Sequence, residues 1–376
     1  MMTNPPPASP MQATGGTTAV REPTMLDADA ILRGGCATST VESSLIPTNM
    51  LFVVDRTGTM ACNPPPTTES SACEQTPTRA DPNQPSKWAI TSEALIQAMK
   101  TLPDTATVGI SYFSNDDACG VHPNPSVPLA PNTQTQQMAM EASLRSVSPG
   151  GGTPLVGATI LAYRHMHDLA LAGSITGNEF VVLITDGEQS EQCSYEPRCT
   201  DAQSCYDVLL DEEVPKAAGP GVGIRTFVIG APGSEPARAV LSTIASLGGT
   251  AIEGCDPARG DCHFDMTTQA DFGQALSEAL GAIVGEAITC ELDIPVPEPG
   301  EQVDLNRLNV IHSTSNGEAA VVPQDTRAPC DGGANGWQYN EDQTQIRLCG
   351  DICNTVRADE NARVDVVLGC PVQRPD

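Results

Sequence analysis

Four apolar runs, Met50–Val54, Thr107–Phe113, Phe180–Thr185 and Ile224–Gly230, recur along the chain with amphipathic stretches between them. Runs of strand length that stay apolar throughout belong to strands buried on both faces, and such strands sit in parallel sheets with helices above and below. The intervening stretches read as those helices. Ser86 caps one in which Trp88, Leu95, Met99 and Leu102 recur at helical spacing. Others are predicted near Gln136–Val147, from Pro154 to about Leu171, near 204–217 and at Glu235–Leu247. A last helix, about 268–285, sets Phe272, Leu276, Leu280 and Ile283 on one face. The expected fold class is α/β, a doubly wound and mostly parallel sheet.

That domain occupies residues 47–286. Residues 1–46 read as an extended or disordered lead-in. Residues 60–86 form a Pro- and Thr-rich insertion, and residues 114–135 read as a polar, Pro-rich loop followed by a short helix. From residue 287 the texture changes to short strand-like pieces (288–294, 308–312, 319–322, 345–348, 364–368) between Gly, Pro, Asn and Asp turns. Residues 287–376 are therefore expected to form a small, cysteine-rich, all-β module.

Fourteen cysteines at irregular spacing, with no C-x-x-C pair, point to disulfides and hence to an oxidising, extracytoplasmic compartment. Zinc is the alternative, with His263 beside Cys262 and Cys349 four residues before Cys353, but structural zinc wants two tight ligand pairs close together. Residues 1–35 contain no apolar segment of the kind a signal peptide needs, and no run of about 18 apolar residues occurs anywhere. Cys36, in Leu32-Arg33-Gly34-Gly35-Cys36, hints at a lipid-anchor cysteine without the apolar segment that would precede one. With 47 acidic against 19 basic residues the net charge is −28, so the chain has no basic patch with which to bind nucleic acid.

The chemistry gathers at one strand end. The run Leu51-Phe52-Val53-Val54 delivers Asp55 to the carboxyl edge of the sheet, where α/β proteins place their ligands, and Thr57 and Thr59 follow at the second and fourth positions beyond it. Two more pieces come later in the chain: Gly150-Gly151-Gly152-Thr153 ahead of a helix, and Leu183-Ile184-Thr185-Asp186-Gly187-Glu188 at the end of the third run.

In these three pieces, over about residues 47–286, the chain resembles the von Willebrand factor A (VWA) family. They correspond to its adhesion-site motif D-x-S-x-S, its loop threonine and its strand-end aspartate. Threonine stands here for both motif serines, which keeps each hydroxyl. The resemblance implies a Rossmann-like fold and a metal set of Asp55, Thr57, Thr59, Thr153 and Asp186. Arg56, Asp116, Asp117, Gly152 and Glu188 would rim it. The Cys-rich loops and β-rich tail are similar to secreted or lipid-anchored VWA proteins of Gram-negative bacteria. The implied cofactor is Mg²⁺, with Mn²⁺ or Ca²⁺ as alternatives. Three neutral hydroxyls and two aspartates leave such an ion electrophilic enough to accept a Glu or Asp carboxylate from a partner protein.

Function on this reading is cation-dependent adhesion or protein binding, outside the cytoplasm, and the chain is not expected to be an enzyme. One alternative is a structural assembly protein whose metal only stabilises it. Another is phosphotransfer on Asp55, since Asp55-Arg56-Thr57-Gly58-Thr59 resembles the D-K-T-G-T motif of ion pumps. Pumps need membrane helices and a distal G-D-G-x-N-D, and soluble phosphatases of that fold need an acid where Thr57 stands. No G-x-x-x-x-G-K-[ST], H-E-x-x-H or G-x-S-x-G occurs.

Overall fold

The structure is a computed structural model that describes residues 28–32, 39–43, 46–64, 73, 78–116, 118–193, 198–287, 290–294, 304–340, 342–358 and 363–375. Two short elements come first, α1 (Ala28–Leu32) and β1 (Ser39–Ser43). The α/β domain then runs β2 (Thr48–Asp55), α2 (Lys87–Met99), β3 (Thr107–Phe113), β4 (Val127–Pro131), α3 (Gln134–Ser146), α4 (Leu155–Leu171) and β5 (Asn178–Thr185). It continues with α5 (Ala202–Val208), which passes through a π turn into α6 (Val214–Ala218). It closes with β6 (Ile224–Gly230), α7 (Arg238–Leu247), β7 (Phe264–Asp265) and α8 (Phe272–Ala287).

Six strands form one sheet in the order β4-β3-β2-β5-β6-β7. All neighbours are parallel except the edge pair β3 and β4. The strand β4 lies where the sequence reads as a polar loop. Pro128 and Pro131 hide it, and an edge strand tolerates them because no ladder hydrogen bond is needed on its outer side.

Every residue of β2 is buried, and its side chains alternate between two cores as a period of two requires. Met50, Phe52 and Val54 meet Leu95 and Met99 of α2 and Phe272, Leu276, Leu280 and Ile283 of α8. Leu51 and Val53 meet Leu155, Ile160 and Met166 of α4 and Leu241 and Ile244 of α7. The fully apolar reading of this strand is thus explained by helices on both faces. Ser86 caps α2 as expected, its hydroxyl accepting from the Ala89 N–H at 3.1 Å.

The tail contains β8 (Glu291–Asp293), β9 (Leu308–Ser313), β10 (Ala319–Val322), β11 (Gly336–Tyr339), β12 (Gln345–Cys349), a short helix α9 (Asp351–Ala358) and β13 (Arg363–Leu368). It is a β module as the turns suggest, with α9 added to it. Its two sheets, β1-β13-β9-β10 and β11-β12-β8, share a core around Trp337, Leu308, Val310, Leu348 and Val366. The first of these sheets draws on the lead-in. β1 pairs antiparallel with β13, from Ser39 opposite Leu368 to Ser43 opposite Val364, and α1 packs Ala28 and Ile31 on Ile311 and Val367. Part of the segment expected as a free lead-in therefore covers the edge of β13, which would otherwise present unpaired backbone groups.

Twelve cysteines pair in six bridges: Cys62–Cys73, Cys119–Cys193, Cys199–Cys205, Cys255–Cys262, Cys290–Cys353 and Cys330–Cys349. Cys370 is disulfide-bonded as well, and Cys36 lies outside the described residues. The cysteines weighed for zinc are all spent in these bridges. Among the described residues no helix is long and apolar enough to cross a membrane.

Candidate metal centre

Asp55 is the last residue of β2, and Asp186 follows the last residue of β5. These strands are neighbours, and the chain leaves them for opposite halves of the sheet, toward β3 from one and toward β6 from the other. A crevice opens at the carboxyl ends of such strands. The sheet order alone thus brings together two carboxylates that lie 131 residues apart in sequence.

Both are buried, and their oxygens are individually occupied. Asp55 Oδ1 accepts from the Thr57 N–H at 2.8 Å, and its Oδ2 accepts from the Thr185 hydroxyl at 2.7 Å and the Asp186 N–H at 3.4 Å. Asp186 Oδ1 accepts from the Thr59 hydroxyl at 2.9 Å, while its Oδ2 lies 2.5 Å from the Lys87 ammonium. The Thr57 and Thr59 hydroxyl oxygens are 3.3 Å apart. Burial, and then the charge of Asp186, push the Asp55 carboxyl up to about 7 against the hydrogen bonds from Thr57 and Thr185.

Thr153 reaches the same place on a loop that is tied down at several points. Gly150 N–H donates to the Arg56 carbonyl at 2.7 Å, and Gly58 N–H donates to the Gly151 carbonyl at 3.1 Å. Thr153 N–H donates to Ser190 Oγ, and Ser190 N–H returns a bond to the Thr153 carbonyl, both at 2.9 Å. The Thr153 hydroxyl lies beside Gly187, where an added Cβ would stand 3.6 Å from it. Gly151 has φ +85°, and a Cβ there would come within 2.7 Å of the Asp116 carbonyl and 2.8 Å of the Ala118 carbonyl, so this turn admits only glycine. Gly152 faces the Cys119–Cys193 bridge, with room for no side chain against Cys193 Sγ. That bridge joins the loop after β3 to the loop after β5 directly over the Thr153 turn.

The rim residues divide. Arg56 is half-buried, with its backbone fixed by Phe113 and Gly150, and Glu188 is exposed two residues beyond Asp186. Asp116 is exposed, but its carboxylate closes its own loop, accepting from Ser114 Oγ, Ala118 N–H and Gly120 N–H. Those backbone bonds hold it below the usual carboxylate range. Asp117 lies outside the described residues.

Two residues at the site escape the sequence reading. Thr185 reads there as one more residue of an apolar run, although a hydroxyl directly before a strand-end aspartate is a usable signal. Lys87 reads as the residue after a cap. Its signal is a cation in the first turn of a helix, where the dipole disfavours positive charge.

The donor set suits a hard divalent ion. In an octahedron of oxygens about 2.1 Å from its centre, adjacent oxygens lie about 3.0 Å apart, close to the spacing of the two threonine hydroxyls. Two buried carboxylates against a single lysine also leave an uncompensated negative charge, which a cation would neutralise.

No protein-family model matches the chain, and no curated protein matches it. Solved structures similar to it include the pilus adhesin SpaC of Lactobacillus rhamnosus GG, at 13% identity and TM-score 0.45 over 86% of this chain and 39% of the adhesin. A von Willebrand factor type A protein of Catenulispora acidiphila is similar at 13% identity and TM-score 0.40, over 90% of this chain and 60% of that one. The manganese-loaded TRAP protein of Plasmodium vivax is similar at 12% identity and TM-score 0.37, over 75% of this chain and 96% of that one. The chain spans about two-fifths of the length of the pilus adhesin it matches. On its own strand order, and on the placement of Asp55 and Asp186 at the ends of adjoining strands, the chain has a VWA-like fold.

Proposed function

We propose that this chain is a divalent-cation-dependent protein-binding module that works outside the cytoplasm. Asp55, Thr57, Thr59, Thr153 and Asp186 hold Mg²⁺ or Mn²⁺, with Ca²⁺ the weaker fit. The ion supplies a positive centre for a Glu or Asp carboxylate of a partner protein. The observation that supports this most is the joining of Asp55 to Asp186 through Thr185, Thr57 and Thr59 at the carboxyl edge of the sheet. Each hydroxyl proton is directed to a carboxylate or to the other hydroxyl, which leaves oxygen lone pairs for a cation. Thr153 adds a neutral oxygen from a turn that the Cys119–Cys193 bridge holds in place.

The role is binding and not catalysis. Asp55 is wholly buried, and both its oxygens are occupied by protein donors, which is poor geometry for a nucleophile that must reach a phosphate. Six bridges in a chain of this size fit a protein that folds under oxidising conditions. A pull-down from the native cell surface, in Mg²⁺ and then in chelator, tests the function. Capture that is lost both in chelator and in Asp55→Ala supports adhesion through the ion. Capture that chelator leaves intact contradicts it, and metal binding with no capture at all favours a purely stabilising ion.

A further inference from the structure

Lys87 stands where two effects oppose a lysine. It is the first residue of α2, where the helix dipole disfavours a cation. It is wholly buried, so its ammonium has lost its water. It also stands next in the chain to Trp88, a buried residue of the first core. Its environment is built to hold it nonetheless. The ammonium lies 2.5 Å from Asp186 Oδ2 and donates to the Pro232 carbonyl at 2.8 Å. Gly233, at φ +112°, leaves the space for it: a Cβ there would stand 3.1 Å from Lys87 Nζ and 2.8 Å from the Asp186 carbonyl. The Lys87 N–H is tied in turn to the Cys62 carbonyl at 2.8 Å, and Cys62 is held by its bridge to Cys73.

We propose that Lys87 is a fixed counter-charge of the metal site, and that by cancelling Asp186 it sets the class of ligand the site accepts. The inference rests on the metal reading above and deepens it. Asp55 and Asp186 contribute two negative charges, Lys87 one positive, and a divalent ion two positive, so the filled site carries a net charge of plus one. Without Lys87 the filled site would be neutral. A net positive site in a buried setting favours an anionic ligand such as a carboxylate over a neutral amide or hydroxyl, because only the anion removes the remaining charge. Lys87 acts through Asp186: it holds Oδ2, which leaves Oδ1 to Thr59. It is a positioning and specificity-determining residue.

Charge counting makes the test sharp. With a divalent ion bound, Lys87→Met gives a neutral site where wild type carries plus one, and both metal-set aspartates stay in place. Calorimetric titration with Mn²⁺ alone should find Lys87→Met tenfold or more tighter than wild type. The titration is then repeated in excess acetate, which should raise the Mn²⁺ affinity of wild type and raise that of Lys87→Met less. If Lys87→Met folds only with Mn²⁺ present, its melting temperature in Mn²⁺, with and without acetate, replaces the titration, and acetate should raise it in wild type more than in the variant. An Mn²⁺ affinity of Lys87→Met no tighter than wild type, or an equal effect of acetate on both, overturns the proposal and leaves Lys87 a structural partner of Asp186. If wild type itself binds no Mn²⁺, the metal reading fails first, so the two failures are distinguishable.

Discussion

The Thr185 hydroxyl donates to Asp55 Oδ2 at 2.7 Å, joining the last residue of β5 to the last residue of β2. The bond crosses the crevice between the two central strands and fixes the carboxylate in the orientation that leaves Oδ1 to the Thr57 N–H. Thr185 is wholly buried, and its hydroxyl also accepts from the Gly187 N–H at 3.2 Å. Thr185→Val keeps the shape and removes the donor. Hydrogen bonds to charged groups contribute about 1.5–3 kcal/mol, so Mn²⁺ affinity should fall about tenfold or more with the fold retained. Unchanged affinity would show that Thr57 alone orients Asp55.

Asp55 should also make metal binding depend on pH. Its carboxyl is pushed up to about 7 in the metal-free protein, first by burial and then by Asp186, whereas an unfolded aspartate titrates near 3.9. A carboxyl raised in this way contributes stability that is complete below about pH 4 and is lost as pH rises toward 7. Between those limits the unfolded chain has released a proton that the folded one retains. Binding a cation requires the ionised form, so affinity should fall about tenfold per unit as pH drops below 7, and binding should release a proton. Mn²⁺ titrations from pH 8 to pH 5, in buffers of different ionisation enthalpy, would show both effects. Affinity that stays level across that range would contradict the account.

The two ends of the chain should prove to be one unit. Twelve cysteines pair among themselves and Cys370 is disulfide-bonded, and Cys36 is the remaining cysteine of the sequence. Non-reducing peptide mapping should recover the Cys36 and Cys370 peptides joined. A lipid-modified or free Cys36 would contradict this. Deleting residues 1–43 removes β1 and α1, and should lower the stability of the tail while leaving Mn²⁺ affinity within about twofold, since those elements pack on β13 and β10 and not on the site.

What the sequence makes legible follows burial. β2, β3, β5 and β6 stand out because helices cover both their faces, and Asp55 and Asp186 stand out because each ends such a run. The strand β4 does not, because an edge position admits the prolines that otherwise signal a loop. β1 is hidden for a different reason. Ser39-Thr40-Val41-Glu42-Ser43 has one aliphatic residue, and only its partner β13, more than 300 residues later, makes it a strand. Lys87 and Thr185 belong to a third kind. Each occupies a buried position that local pattern assigns to packing, and its polar role appears only once Asp186 and Asp55 are brought beside it.

The central claim is that Asp55 and Asp186 jointly hold a divalent ion, and titration calorimetry of the metal-free protein with Mn²⁺ tests it most directly. The account predicts one saturable site in the wild-type protein, lost in Asp55→Ala and in Asp186→Ala while both variants keep the wild-type circular dichroism spectrum. Unchanged Mn²⁺ affinity in the two variants, or no binding by the wild-type protein, would contradict it.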